Sequence, residues 1–327
     1  MNRKGLTIGL ILLLIGTSII PITAQNAEKT SQSTSRGNWL YVGGSGPGNY
    51  TKIQDAIDNA SDSETVFVFN GTYYENIVID TPINLRGEDK NSTIIDGSSI
   101  GHVVNISVSD VQISGFTIQN SGNNISDAGI KINLYSNFNI ITNNIIQNDN
   151  GNGIIMRDSS DNLISKNIIK SGDMIGFNIH RGNNNSIIGN YIRSDSDGIF
   201  VFDSDNNLFH DNVIEHCYIG IDLAAVFYNN ISWNLFTNNS CGVLLDNSQF
   251  NNISSNNFMY NGIHASFYVL FKNANNKWVG NYWNKPRILP KLIFGVRANI
   301  LFGTKTIHFP WFQFDWHPAQ QPYDIGV

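Results

Sequence analysis

"NLFHDN", residues 207–212, sets two asparagines five residues apart, and the same spacing recurs down the chain. The pairs are Asn139/Asn144, Asn162/Asn167, Asn185/Asn190, Asn207/Asn212, Asn229/Asn234, Asn251/Asn256 and Asn276/Asn281. A second landmark keeps step with them. Glycine followed by alternating apolar residues opens each unit: "GIKI" at 129, "GIIM" at 153, "GFNI" at 176, "GIFV" at 198, "GIDL" at 220 and "GVLL" at 242. The steps are 24, 23, 22, 22 and 22 residues. Two independent landmarks with one period mark a stacked repeat.

Alternation within each unit, as in Phe177 and Ile179 or Ile199 and Val201, predicts short strands. A further inward position follows two residues after the second asparagine: Ile146, Ile169, Ile192, Ile214, Phe236, Phe258 and Trp283. Two or three short strands per 22 residues, separated by Asn, Gly and Ser bends, predict one coil of a parallel β-helix; a leucine-rich repeat would need a Leu signature that is missing. Coils about 4.8 Å apart would place Asn144, Asn167, Asn190, Asn212, Asn234, Asn256 and Asn281 in one column. There their amides could pair with each other and with the backbone of a sharp bend. Outward-facing asparagines in left-handed turns are the alternative. Both roles are structural, so the asparagines are no catalytic signal.

Composition agrees with an ordered repeat. Of 327 residues 48 are asparagine, yet 41% are hydrophobic, enough to exclude an Asn-rich disordered tract. The N-terminus has the form of an export signal, residues 1–24: Arg3 and Lys4, an apolar run from Leu6 to Ile20, and a small-residue end at Ala24. Its removal would leave no transmembrane anchor and change the net charge from −6 to −8, since 18 basic residues then face 26 acidic ones. That balance excludes a basic nucleic-acid footprint. Sequons such as Asn59, Asn124 and Asn184 fit a glycosylated exported protein, secreted or at the cell surface. Cys217 and Cys241 are the only cysteines, open to a disulfide or to two free thiols.

The expected layout is a linker over 25–40, an N-terminal cap with a helix over 41–62, the β-helix over 63–284 and an irregular C-terminal cap over 285–327. In "TKIQDAIDNA", Thr51 and Gln54 have capping-box spacing, while Ile53, Ala56, Ile57 and Ala60 share a helical face. The fold class is therefore all-β: a parallel β-helix solenoid of about ten coils, on the order of 50 Å long.

"IQDAIDNASDSETVFVFNGTYYENIVI", "INLRGEDKNSTIIDG", "ISGFTI", the repeated N-x-I units and "NYW" resemble the NosD-like right-handed parallel β-helix proteins, in particular exported archaeal members of that pectin-lyase-like group. The resemblance spans about Tyr41 to Trp283. It implies a right-handed solenoid and, from the wider group, carbohydrate binding or cleavage; the NosD branch implies copper delivery to nitrous oxide reductase. It carries no catalytic residue over to this sequence.

On the strand that follows each glycine, positions two and four should face outward. One column would read Lys131, Ile155, Asn178, Phe200, Asp222, Leu244, and its neighbour Asn133, Arg157, His180, Phe202, Ala224, Asp246. Arg157, Asn178, His180, Phe200, Phe202, Asp222 and Asp246 are thus candidate contacts to a polysaccharide or surface glycan: aromatic faces cover a sugar ring and polar neighbours take its hydroxyls. Loops packed over the phenylalanines would be the structural alternative. Asp222 and Asp246, about 8 Å apart at their attachment points, are candidate catalytic residues of an inverting glycoside hydrolase.

No cofactor is expected. A Ca²⁺-assisted lyase would draw on Asp158, Asp203 and Asp205 with Arg157, and copper on His210, His216, Cys217, Cys241 and Met259, but turn and surface roles are the expected reading of these residues. The reading that emerges is an exported β-helix that binds glycan without catalysis. Its alternatives are a polysaccharide hydrolase or lyase, a structural envelope component and a NosD-type copper accessory protein.

Overall fold

The computed structural model describes residues 39–148, 150–270, 275–301 and 305–326. The export signal expected over 1–24 lies outside the described residues. What is described is nearly all β: a parallel β-solenoid of about ten coils, with one short helix.

Each full coil contributes three strands. In one they are Phe177–His180, Ser186–Ile188 and Tyr191–Ser194; in the next, Ile199–Phe202, Leu208–His210 and Val213–Glu215. Corresponding strands pair in parallel without slippage, Phe177 on Ile199, Ile187 on Phe209 and Ile192 on Ile214. Three strand stacks result. Their inward positions form columns of fully buried residues, because a rise of one strand spacing brings the same side-chain slot over itself. Where the third stack changes from isoleucine to aromatics the rings lie face to face, Phe236 on Phe258 at 5.0 Å and Phe258 on Trp283 at 4.5 Å.

The glycines at the unit starts allow coils to approach closely. A Cβ on Gly198 would stand 2.7 Å from the Gly220 carbonyl oxygen and 2.8 Å from Ile214 Cγ2, so no side chain fits without moving backbone.

The bends are held by asparagine. Asn190 Oδ1 accepts the backbone N–H of Asn167 at 3.0 Å and its side-chain amide at 3.1 Å, while Asn190 itself donates to Asn212 Oδ1 and to the Ile164 carbonyl. The same bonds link Asn144 to Asn167, Asn212 to Asn234, Asn234 to Asn256 and Asn256 to Asn281, all fully buried. The residue in the left-handed conformation is the one before each asparagine, such as Lys166 (φ 54°) or Asp211 (φ 55°). The bend therefore turns its strained residue outward and its amide inward. The first asparagine of each pair builds a second column of the same kind, Asn139, Asn162, Asn185, Asn207, Asn229, Asn251 and Asn276.

Both ends differ in detail from expectation. Strand pairing already begins at Trp39–Val42, inside the segment expected to be linker, because Val42 and Leu40 join the core. The helix Ile53–Asp58 buries Ile53, Ala56 and Ile57, but Thr51 and Gln54 do not form a capping box. Glu75 provides the cap instead, its carboxylate accepting the Ile53 and Gln54 amides at 2.8 and 3.0 Å. Gln54 is thereby free to pair in both directions with the backbone of Val78.

The C-terminal segment, expected to be irregular, is a long antiparallel hairpin of Lys291–Leu301 and Lys305–Asp315. It adds to the stack through Ser266–Leu270 on Phe294–Ala298. The repeat pattern fails here because the hairpin reverses direction, and Pro310 is accommodated because at that position its strand pairs only with Lys291–Leu301, the second pairing being confined to Asp315 on Trp278.

Candidate functional site

The first strand stack carries every residue expected to touch a glycan. Its register runs Lys131, Ile155, Asn178, Phe200, Asp222 and Leu244 in one column. The neighbouring column runs Arg157, His180, Phe202, Ala224 and Asp246. The two columns form one strip: cationic groups at one end, rings in the middle, carboxylates beyond. Ile155 is the exception to its outward character, at only 1% exposure.

In the middle, the His180 ring lies 5.7 Å from that of Phe200 and 5.5 Å from that of Phe202. Phe202 is 40% exposed and Phe200 partly so, leaving ring surface open to solvent. Burial, and then the nearby Arg157 and Arg181 charges, push the His180 pKa down, so this imidazole is neutral at neutral pH. Arg157 is exposed, whereas Arg181 is engaged with Asp158 through two bonds of 2.5 and 2.7 Å.

Asp222 and Asp246 sit on a diagonal: Asp222 registers with Leu244 and Ala224 with Asp246, one coil up and two residues along. Burial, then the charges of Asp197 and Asp246, raise the Asp222 pKa to about 7. Its Oδ1 is buried with no hydrogen-bond partner among the described residues, as is Asn178 Oδ1. Burial also raises Asp246, which accepts one bond from the Asn247 side chain at 2.8 Å. The arrangement holds one carboxyl able to carry a proton at neutral pH beside a second, better solvated one.

Residues 128–282 match the family model described as right handed beta helix region. Over that stretch, somewhat less than half of the chain, the parallel β-solenoid is similar to this family. Over an alignment covering 86% of this chain it is 29% identical to a cell surface glycoprotein of Methanothermus fervidus. That alignment takes in 55% of the other protein, so the β-helix chain spans about half the length of this curated relative. Among solved structures it resembles the DFA-IIIase of Arthrobacter chlorophenolicus A6 in complex with DFA-III, at a TM-score of 0.55 and 13% identity, over 82% of this chain and 86% of that one. It also resembles tailspike protein 2 of the Escherichia coli O157:H7 bacteriophage CAB120, at a TM-score of 0.51 and 13% identity, over 76% and 36% of the two chains. At such identity these likenesses describe the fold alone.

Asp197 was not visible as part of the site in the sequence. It belongs to the bend before Ile199–Phe202, where strand alternation no longer tells which way a side chain points, yet its charge reaches Asp222 and its own pKa is raised to about 6 by burial. The nearest signal was its place immediately before Gly198.

The residues considered for metals do not converge on the β-helix. Among the described residues no group of three or more His, Cys, Asp or Glu side chains is placed to hold an ion. Asp158 is taken by Arg181, Asp205 by the Phe227 amide, and His210 Nδ1 lies 3.2 Å from Ser232 Oγ. Cys217 and Cys241 are free thiols, each raised to about 12 chiefly by burial. Cys241 registers with Ile219, two residues past Cys217, so the two cysteines are not stacked.

Proposed function

We propose that this protein is a secreted or cell-surface β-helix that binds a polysaccharide or surface glycan on the strip from Arg157 to Asp246, without catalysis. The observation that carries the reading is the ring trio of His180, Phe200 and Phe202, open to solvent on a rigid sheet and followed by a carboxyl with an unpaired oxygen. Rings offer the apolar face of a sugar a flat partner, while Asn178, Asp222 and Asp246 offer hydrogen bonds to its hydroxyls. The relative's name, a cell surface glycoprotein, supports the surface location in this reading. Phe200→Ala with Phe202→Ala should lower binding on a glycan array at least tenfold while the melting temperature moves by only a few degrees. Unchanged binding would remove the proposal.

A second reading is favoured by the acid pair. With Asp222 protonated, its proton could pass to the leaving glycosidic oxygen. Asp246, ionised, would take a proton from the water that attacks the anomeric carbon from the opposite face, giving hydrolysis with inversion. New reducing ends from a polysaccharide panel, lost in Asp222→Asn, would establish this activity. No release from any substrate would leave binding alone.

A further inference from the structure

The strongest feature outside that strip is a groove along the bend between the second and third strand stacks. Its cavity of about 630 Å³ is lined by Lys90, Lys166 and Lys170, with Asp211 the one acidic side chain among the described lining residues and Gly326 of the C-terminal segment at its edge. Such a concentration of cations is unexpected in a chain of net charge −6. None of the three lysines forms an ion pair among the described residues, where the Arg181–Asp158 pair stands alone.

Each cation is placed by the fold. Lys90 rides on the loop between Asn84–Gly87 and Thr93–Asp96 and reaches forward to donate to Asn143 Oδ1 at 2.9 Å. The acids of that loop are occupied locally, Glu88 by the Asn70 amide and Asp89 by Ser92 and the Asn91 amide. Lys166 occupies the outward, left-handed position before ladder residue Asn167. Lys170 projects outward from Ile168–Ser171, and Arg193 follows it one coil on.

The floor is not charged. Ile168 and Tyr191 are register partners and both half-buried, and the Tyr191 hydroxyl donates to Glu215, turning that carboxylate to its own use. A second cavity of about 640 Å³ shares Lys90 and Asn143 with the first, so the groove continues along the rod.

We propose that this groove binds an anionic saccharide, one bearing carboxylate or sulfate groups, at a site separate from the strip of the first strand stack. Lysines that form no ion pair among the described residues supply the charge, and the Ile168–Tyr191 floor with Asn143 supplies the apolar face and hydrogen-bonding edge that a sugar ring needs and a small inorganic ion does not. A nucleic acid fits less well, because the floor offers a single aromatic ring, Tyr191, on which bases could stack.

The test titrates the full chain with a sulfated heparin oligosaccharide and with an oligogalacturonate, against a neutral oligosaccharide of similar length. At least one charged probe should bind, weaken as salt is raised, and lose at least tenfold in affinity in Lys166→Gly with Lys170→Gln. Glycine is chosen at 166 because it suits the left-handed backbone and occupies the same bend one coil on, at Gly189, so the fold should persist. Phe200→Ala with Phe202→Ala should leave this binding intact, which separates the groove from the proposed glycan strip. The proposal is overturned if neither charged probe binds, if the neutral probe binds as well as the charged ones, if the lysine variant binds unchanged, or if single-stranded RNA binds more tightly than either saccharide.

Discussion

Asp315 stands over Asn281 as the next asparagine of the ladder would: its Oδ2 accepts the Asn281 backbone N–H at 2.9 Å and the side-chain amide at 3.2 Å. The same carboxylate accepts Trp283 Nε1 at 3.0 Å, and its other oxygen takes the Gly280 and His317 amides. The hairpin thus ends the column with an acceptor-only group where the ladder still presents donors. Asp315→Ala would leave five donors without their acceptor and should cost about 3 kcal/mol or more in denaturant unfolding. Asp315→Asn turns an amide NH₂ toward one set of donors and should fall between alanine and wild type. Equal stability of all three proteins would show that the ladder needs no terminator.

At Gly198 the spacing of coils, rather than any turn, forbids a side chain. Gly198→Ala must push the Gly220 carbonyl or Ile214 aside, and destabilisation of about 2 kcal/mol is expected from overpacking. The equivalent change at Gly48, whose Cβ would meet nothing within 4 Å, costs only its left-handed backbone preference, on the order of 1 kcal/mol. Thermal unfolding of both variants makes the comparison.

Asp222 should make stability fall as pH rises. Its pKa goes from an ordinary 3.8 to about 7 in the folded chain, so the native state holds the proton more tightly than the unfolded one. The stabilisation is complete below about pH 4 and is lost as pH rises through about 7, amounting to about 2 kcal/mol for a partly solvated group. Asp222→Asn should flatten the profile in this window. A wild-type profile rising from pH 4 to 7, with no difference in the variant, would contradict the assignment.

The thiols of Cys217 and Cys241, both raised to about 12, should resist alkylation at pH 8 in the native protein. After unfolding both should react within minutes, which intact-mass measurement resolves as two added groups. Rapid native labelling of Cys217, only 3% exposed, would mean that its coil opens readily.

How much of this was legible follows from the repeat. Asn167, Asn190 and Asn212, or Phe200 and Asp222, could be placed as vertical neighbours because a fixed period of about 22 residues converts sequence distance into one strand spacing. The outward columns of the first stack followed from the same count. The period stops helping where residues leave the strands. The direction of Asp197, the Glu75 cap on the helix and the reach of Lys90 to Asn143 all depend on bends and loops that alternation does not describe.

The amino-acid sequence by itself determined the coil, its register and the faces of its strands, since a periodic pattern of apolar residues, glycine and asparagine has few ways to bury its core and satisfy its bends. Only the tertiary structure decided which side chains from different coils share a hollow, how deeply Asp222 is desolvated, and that a hairpin carrying Asp315 packs on the last coils. Those outcomes turn on distances across bends, between residues that no local pattern connects.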